Sequence, residues 1–297
     1  RSAGRSSCVR RVRAPAANPI DDRGAMKTLQ VTAARRSVLL CVGLATVWCE
    51  DPTAECATQL PHQISKVLVV GANGKIGQQT VRLLYNHPWY QPLAMIRDVR
   101  QQPLFDNMGV ATVLADLEYP VDHAFGGVDA VIFTAGSGDD SKSGRDKTVL
   151  VDHIGAIRAV VAAQMNNVSR FIMVSATNVD VRSNSTIAHY HRAKAHADNY
   201  LRDSATFGPA LAWTIICPSR LHDESDDEHI EVGLEIKVSR DDPTIVQRGG
   251  VLRPEARTAR ANVAATLVAA LPLANLHGKT LRLLDGNLSV QDALRKV

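Results

Sequence analysis

The sequence predicts an α/β fold, a doubly wound parallel sheet with a small C-terminal lobe, and three observations carry that expectation. From residue 64 onward, short β-type runs alternate with helical patterns, which calls for parallel strands joined by crossover helices. The first run, Val67-Leu68-Val69-Val70, breaks into glycines at Gly71, Gly74 and Gly77 and then into a helix. The informative polar residues fall just after strands, where open α/β sheets bind their ligands.

Ahead of that region, residues 1–25 have no usable periodicity and are expected to be disordered. Met26 is followed by Lys27, Arg35 and Arg36, an apolar run over 38–48, and a polar exit to Gln63. This order is that of a secretory or organelle-targeting leader; read instead as structureless sequence, it leaves the protein cytoplasmic. Residues 1–62 are therefore set apart from a domain spanning 63–297. The first 36 residues hold nine Lys/Arg against two Asp, so the net charge of +4 becomes −3 over the remainder, and no nucleic-acid partner is expected. Cys8, Cys41, Cys49 and Cys56 lie in the leader and only Cys217 in the α/β region, which suits a reducing compartment. Cys217 reads as a small buried hydrophobe before it reads as a reactive thiol. No uninterrupted apolar run reaches the roughly 18 residues of a membrane span. A monomer or homodimer acting on a small molecule is the expectation.

Within the domain, strands are predicted at 67–70, 92–96, 111–114, 129–133, 170–174, 212–217 and 280–284. Helices are predicted after the glycines (Ile76, Val81, Leu83, Leu84), over 149–161, at 186–203, at 259–270 and at 290–296. The segment 222–257 opens with carboxylates of no regular ligand spacing. It reads as a charged lobe over the C-terminal edge of the sheet, not as a metal site.

The glycine stretch is built to hold a dinucleotide: Gly71 allows the tight turn, Gly74 lets the backbone approach a pyrophosphate, and Gly77 lets the helix pack closely on its strand. The helix that follows offers free N–H groups and a positive dipole end to phosphates. Arg97, at the end of the second strand, stands where such a unit meets the adenosine ribose. An Arg there suits a 2′-phosphate, so NADP is preferred with NAD possible, and Asp98 can itself reach the ribose. Tyr190 and Lys194 lie four apart on a helix and share a face. The ammonium favours the phenolate, making Tyr190 a proton donor or acceptor near neutral pH. Lys194 can also bond the nicotinamide ribose, and Ser175 or Thr177 can polarise a carbonyl.

The stretches VGANGKIGQ, AMIRD, VLADLE, DAVIFTAGSG, DKTVLVD, RFIMVSA, YHRAKAHADNYL and WTIICPSRL together resemble the short-chain dehydrogenase/reductase superfamily, in its atypical NAD(P)-binding branch of YhfK-type sugar epimerases. The resemblance implies a Rossmann-like fold with a small C-terminal substrate lobe. It implies that Gly71, Asn73, Gly74, Lys75, Ile76 and Gly77 line the pyrophosphate and that Arg97 meets the adenosine end. Asp116 and Leu117 would flank the adenine, and Thr134, Ala135 and Gly136 would pass under the middle of the cofactor. Ser175, Tyr190 and Lys194 match the catalytic positions, and Pro218 stands on the nicotinamide side. The chain departs from the pattern at Cys217-Pro218-Ser219, where the branch has Arg-Pro-Gly, at 205–210, and after Arg260, where its usual acidic pair is absent. The expected activity is hydride transfer on a small carbonyl or hydroxyl compound. A non-catalytic NADPH/NADP sensor, or a flavin or tetrapyrrole reductase without a Tyr acid, stays open beside it.

Overall fold

The computed structural model describes residues 64–138, 144–209, 211–223, 229–234 and 257–297. The expected leader at 1–62 and most of the lobe at 222–257 lie outside the described residues. The strands in chain order are β1 (Lys66–Val70), β2 (Gln91–Ile96), β3 (Ala111–Leu114), β4 (Ala130–Phe133), β5 (Arg170–Val174), β6 (Ala212–Pro218), β7 (Arg220–His222), β8 (His229–Leu234), β9 (Arg257–Ala259), β10 (Lys279–Asp285) and β11 (Leu288–Ser289). The main sheet runs β11-β8-β10-β6-β5-β4-β1-β2-β3, and its seven strands from β10 to β3 are all parallel. β7 and β9 form a separate two-stranded parallel ribbon. The order reverses at β1, which lies between β4 and β2, and this opens a crevice at the carboxyl ends of the strands.

The helices are α1 (Lys75–Tyr85), α2 (Gln102–Asp106), α3 (Gly144–Lys147), α4 (Ala156–Met165), α5 (Ala188–Phe207), α6 (Arg260–Ala269) and α7 (Val290–Arg295). A π-helical stretch, Thr148–Gly155, joins α3 to α4. Both faces of the sheet are covered, so β1 is apolar without a break: Val67 and Val69 pack on one side with α1, α6 and α7, Leu68 and Val70 on the other with the Thr148–Met165 helix and α5. That helix corrects the membrane reading in one respect, being 18 residues long with a mean hydropathy of 1.3. The fold accounts for its apolarity, since 56% of it is buried and it supplies Val151, Ala156, Ala159 and Val160 to the core under Phe133 and Phe171.

The predicted strands and long helices appear within a few residues of their expected ends. Of the segment 222–257 read as a lobe, the described His229–Leu234 pairs antiparallel with β10 and widens the main sheet. Arg170, fully buried at the start of β5, donates to Ala212 O (2.8 Å), Thr214 Oγ1 (2.7 Å), Ala270 O (3.0 Å) and Leu271 O (3.3 Å). It thus ties β5 and β6 to the carbonyl end of α6. Burial pulls its guanidinium down to about 9, which leaves it charged at neutral pH.

Candidate functional site

The turn after β1 is tight because backbone meets backbone. Gly71 has φ +80°, and a Cβ there would lie 2.6 Å from Ala135 Cα in the segment that follows β4. A Cβ at Gly77 would lie 2.3 Å from Gly71 O and 2.8 Å from Ala72 Cα, so α1 starts against the turn itself. Gly74 caps α1 with no side-chain hydrogen bond, and the first turn holds no acidic residue. The leading N–H groups of α1 are therefore not consumed by a side chain, which is what a phosphate requires of a helix start. Thr134 fixes the neighbouring segment, donating through Oγ1 to Val70 O (2.9 Å) and Gly71 O (3.3 Å).

These segments border a cleft of about 240 Å³. Gly71, Asn73, Gly74, Arg97, Asp116, Leu117, Thr134, Ala135 and Gly136 all line it, each delivered by the end of β1, β2, β3 or β4. Five residues predicted to hold the cofactor do not, nor do Ser175 and Tyr190. Ile76 and Gly77 are buried in the first turn of α1, Lys75 turns to Asp223 (2.5 Å), Pro218 is held within the sheet opposite Leu283, and Lys194 abuts the cleft floor from below. At the β2 end, Arg97 is exposed and, among the described residues, has no carboxylate within ion-pairing distance. Asp98 is occupied instead by Arg100, whose backbone and guanidinium hold its carboxyl down to about 2. Asp98 is thus committed to its own turn and is not free for a ribose.

Below the floor lies a buried polar cluster. Lys194 Nζ sits 3.0 Å from Asp152 Oδ1 and donates to Ala135 O (3.4 Å), and Asp152 Oδ2 accepts from Ser137 N (2.9 Å). A Cβ at Gly136 would stand 3.1 Å from Asp152 Oδ1, so any larger residue here would press on that carboxylate. Burial alone would lower the Lys194 pKa, but Asp152, Tyr190 and Asp198 together outweigh it and the ammonium is held charged. Tyr190 shares the face of α5 as expected, its ring centroid 5.9 Å from Lys194 Nζ. Its phenol moves the opposite way to the sequence reading. Burial raises the pKa, Lys194 lowers it, and Asp152, Asp198 and Cys217 raise it further, for a net upward shift. Lys194 does not impose a phenolate because burial of the phenol outweighs its pull, and the nearby carboxylates add to burial. Ser175, also buried, donates through Oγ to Asp198 Oδ2 (2.9 Å), and Thr177 is held by its backbone N–H on Pro218 O (3.2 Å).

Residues 71–272 match the family model described as NAD(P)H-binding. The chain belongs to that NAD(P)H-binding family. It is 35% identical over 237 residues to the uncharacterized sugar epimerase YhfK of Bacillus subtilis (strain 168), covering 78% of this chain and all of the relative. Among solved structures it is similar to a candidate NAD-dependent epimerase/dehydratase from Bacillus halodurans, at 31% identity and a TM-score of 0.67, over 78% of this chain and 100% of that one. It is also similar to the oxidoreductase ylbE from Lactococcus lactis, at 25% identity and a TM-score of 0.61, over 78% and 96% of the two chains. The family's Rossmann-like sheet and the resemblance to short-chain dehydrogenase/reductases accord with these relatives.

Four residues of this family member's site escape the sequence reading. Gln101 lines the cleft and accepts Arg97 N–H through Oε1 (3.2 Å), and Ser137 lines it beside Gly136. Asp152 hides in an apolar run, Val149-Leu150-Val151 before it and Ile154 after it, where it looks like an irregularity in an amphipathic helix. Asp198 carried a usable signal: Tyr190, Lys194, Asp198 and Arg202 recur every four residues and so share one face of α5.

Proposed function

We propose that the protein is an NADP-preferring oxidoreductase or epimerase-like enzyme acting on a small carbonyl or hydroxyl compound. One observation carries the reading: residues from four strand ends converge on one cleft whose floor, Ala135 and Gly136, rests on the Lys194–Asp152 pair. In this reading the Gly71–Gly77 turn and the start of α1 hold the pyrophosphate, with Lys75 and Ile76 in that first turn. Arg97 meets the 2′-phosphate, Asp116 and Leu117 flank the adenine, and Pro218 borders the nicotinamide side. When bound, the dinucleotide supplies or accepts a hydride. Tyr190 is the proton donor, its phenol kept protonated by burial. Lys194, held charged by Asp152, anchors the ribose hydroxyls, and Ser175 orients the substrate through an oxygen already fixed by Asp198. The name of YhfK supports the epimerase-like side of the reading.

A second reading, a non-catalytic NADPH/NADP sensor, draws support from the same cluster, because Lys194 pairs with Asp152 and Ser175 donates to Asp198 without a substrate. One set of measurements separates the two. NADPH and NADH are titrated against the parent, Arg97→Ala and Tyr190→Phe, and NADPH oxidation is followed with sugar nucleotides, quinones, flavins and aldehydes. Arg97→Ala should lose about tenfold or more in NADPH affinity and little for NADH. Tyr190→Phe should bind NADPH as the parent does and turn over roughly 10² to 10⁴ times more slowly. Binding without turnover in every protein selects the sensor, and equal turnover in Tyr190→Phe selects a reductase that needs no Tyr acid.

A further inference from the structure

A second hollow, of about 320 Å³, adjoins the main cleft and shares Arg97, Asp116, Ser137 and Val151 with it; its remaining walls are Asp98, Glu118 and Lys147. Counted formally, it holds two cations and three carboxylates, an unpromising seat for an anion. Pairing changes that count. Asp98 is matched by Arg100, which does not line the hollow; Asp116 keeps its charge, with Oδ1 turned to the Glu118 N–H (3.0 Å) to close a turn after β3. Glu118 forms an ion pair with Lys147, at the junction of α3 and the π-helical stretch, with the Glu118 side chain 19% and the Lys147 side chain 39% exposed. Arg97 alone has no carboxylate partner among the described residues.

The Glu118–Lys147 pair is held in place from both sides. Arg158 donates to Leu117 O (2.7 Å), and Gly155 packs so closely on Leu117 that a Cβ would lie 2.8 Å from Leu117 Cβ. The turn carrying Glu118 and the helix carrying Lys147 are thus docked together before any ligand arrives. Lys147 lines the same hollow as Arg97, with one carboxylate to release.

We propose that Lys147 and Glu118 set the choice between NADPH and NADH: Lys147 is the second cation for the 2′-phosphate, and Glu118 competes with that phosphate for it. The proposal rests on the main cleft being the cofactor site. A phosphate monoester carries close to two negative charges and three acceptor oxygens at neutral pH, more than Arg97 alone can match. A ribose hydroxyl has no such charge and leaves the Glu118–Lys147 pair closed.

The test is a fluorescence titration of NADPH and NADH, with calorimetry of adenosine 2′,5′-bisphosphate and 5′-AMP, on the full chain and four variants. Lys147→Gln should weaken NADPH and the bisphosphate about tenfold while moving NADH and 5′-AMP by less than about twofold. Lys147→Arg should restore the parent preference, which separates charge from packing. Glu118→Gln should strengthen NADPH and the bisphosphate by about threefold or more, because the amide no longer competes as an anion. Arg97→Ala is the control for the main reading. A loss of NADPH in Arg97→Ala with no selective loss in Lys147→Gln, or equal losses of both dinucleotides in Lys147→Gln, overturns the Lys147 proposal and spares the cofactor site. A parent that binds neither dinucleotide overturns both.

Discussion

Two glycines three residues apart in the turn after β1 should fail in different ways when given a methyl group. A Cβ at Gly77 lands 2.3 Å from Gly71 O and 2.8 Å from both Ala72 Cα and Ala72 O, all of them backbone that no rotamer change can move. Ordinary contact begins near 3.4 Å, so α1 must retreat from β1 by roughly 1 Å and pull Ile76, Val81 and Leu84 out of register with the core. Overpacking of this kind costs about 1–3 kcal/mol, which for a domain of this size lowers the unfolding midpoint by about 3–10 °C. Gly74 presents the contrast. Its φ of −70° suits any residue, and a Cβ there meets only Gly71 O at 3.3 Å. Gly74→Ala should cost no more than about 1 kcal/mol of stability, the loss of a favoured helix cap. It lines the cleft, however, so NADPH binding should weaken by about tenfold or more as backbone approach is blocked. Thermal unfolding and NADPH fluorescence titration on both variants decide the matter. The reasoning is refuted if Gly77→Ala unfolds within about 1 °C of the parent, or if Gly74→Ala binds NADPH as tightly as the parent does.

Arg170→Met should lower stability by about 3–5 kcal/mol, because the charge and its bonds to Ala212, Thr214, Ala270 and Leu271 are lost together; chemical denaturation measures it, and a loss below about 1 kcal/mol would show the guanidinium to be dispensable. Acid should also destabilise the domain before its carboxylates titrate. His153 is lowered by burial and by His196, stacked on it at 4.8 Å, while His191 is lowered by burial and His277 by burial and then Arg170. With folded pKa values below the ordinary value of about 6.5, the unfolded chain takes up protons first, so stability is full above about pH 6.5 and is lost as pH falls from there through the folded values. Midpoints measured from pH 7.5 to 5 should therefore decline, and His196→Gln should make the decline shallower; an unchanged slope in that variant would remove the stacked pair from the account.

The parallel core was legible because both-sided burial writes a strong signal. Strands such as Val67–Val70 and Phe171–Val174 have to be apolar throughout, and Gly71 and Gly77 have steric reasons that hold for any ligand. What escaped depends on contacts between distant residues. α2 is five residues long, too short for a period, and β8 alternates Ile230, Val232 and Leu234 within an acidic segment whose charge suggested solvent. The π-helical stretch has no sequence pattern of its own, yet Asp152 is placed from it. The sequence could put Tyr190 and Lys194 on one face of a helix. It could not say that burial would outweigh the lysine and that carboxylates from this helix and another would add to burial, which together reverse the direction in which Tyr190 is shifted.

That reversal bears on the direction of the proposed chemistry. Asp152 and Asp198 are completely buried and Lys194 nearly so, and burying each ion costs several kcal/mol that apolar side chains of similar volume would not incur. Core stability is therefore a poor reason for the cluster to exist, and its use lies in fixing positions and charge. Ser137 N–H and Lys194 share the Asp152 carboxylate, Asp198 takes the Ser175 proton, and the Lys194 charge is spent on Asp152. Tyr190 is left as a neutral phenol, its pKa raised chiefly by burial against the pull of the Lys194 ammonium, which is itself paired with Asp152. A neutral phenol gives a proton to a developing alkoxide more readily than it takes one from an alcohol. On the proposed reading, at neutral pH the site is therefore arranged for carbonyl reduction, and alcohol oxidation through Tyr190 should gain only as the pH rises toward the raised phenol pKa.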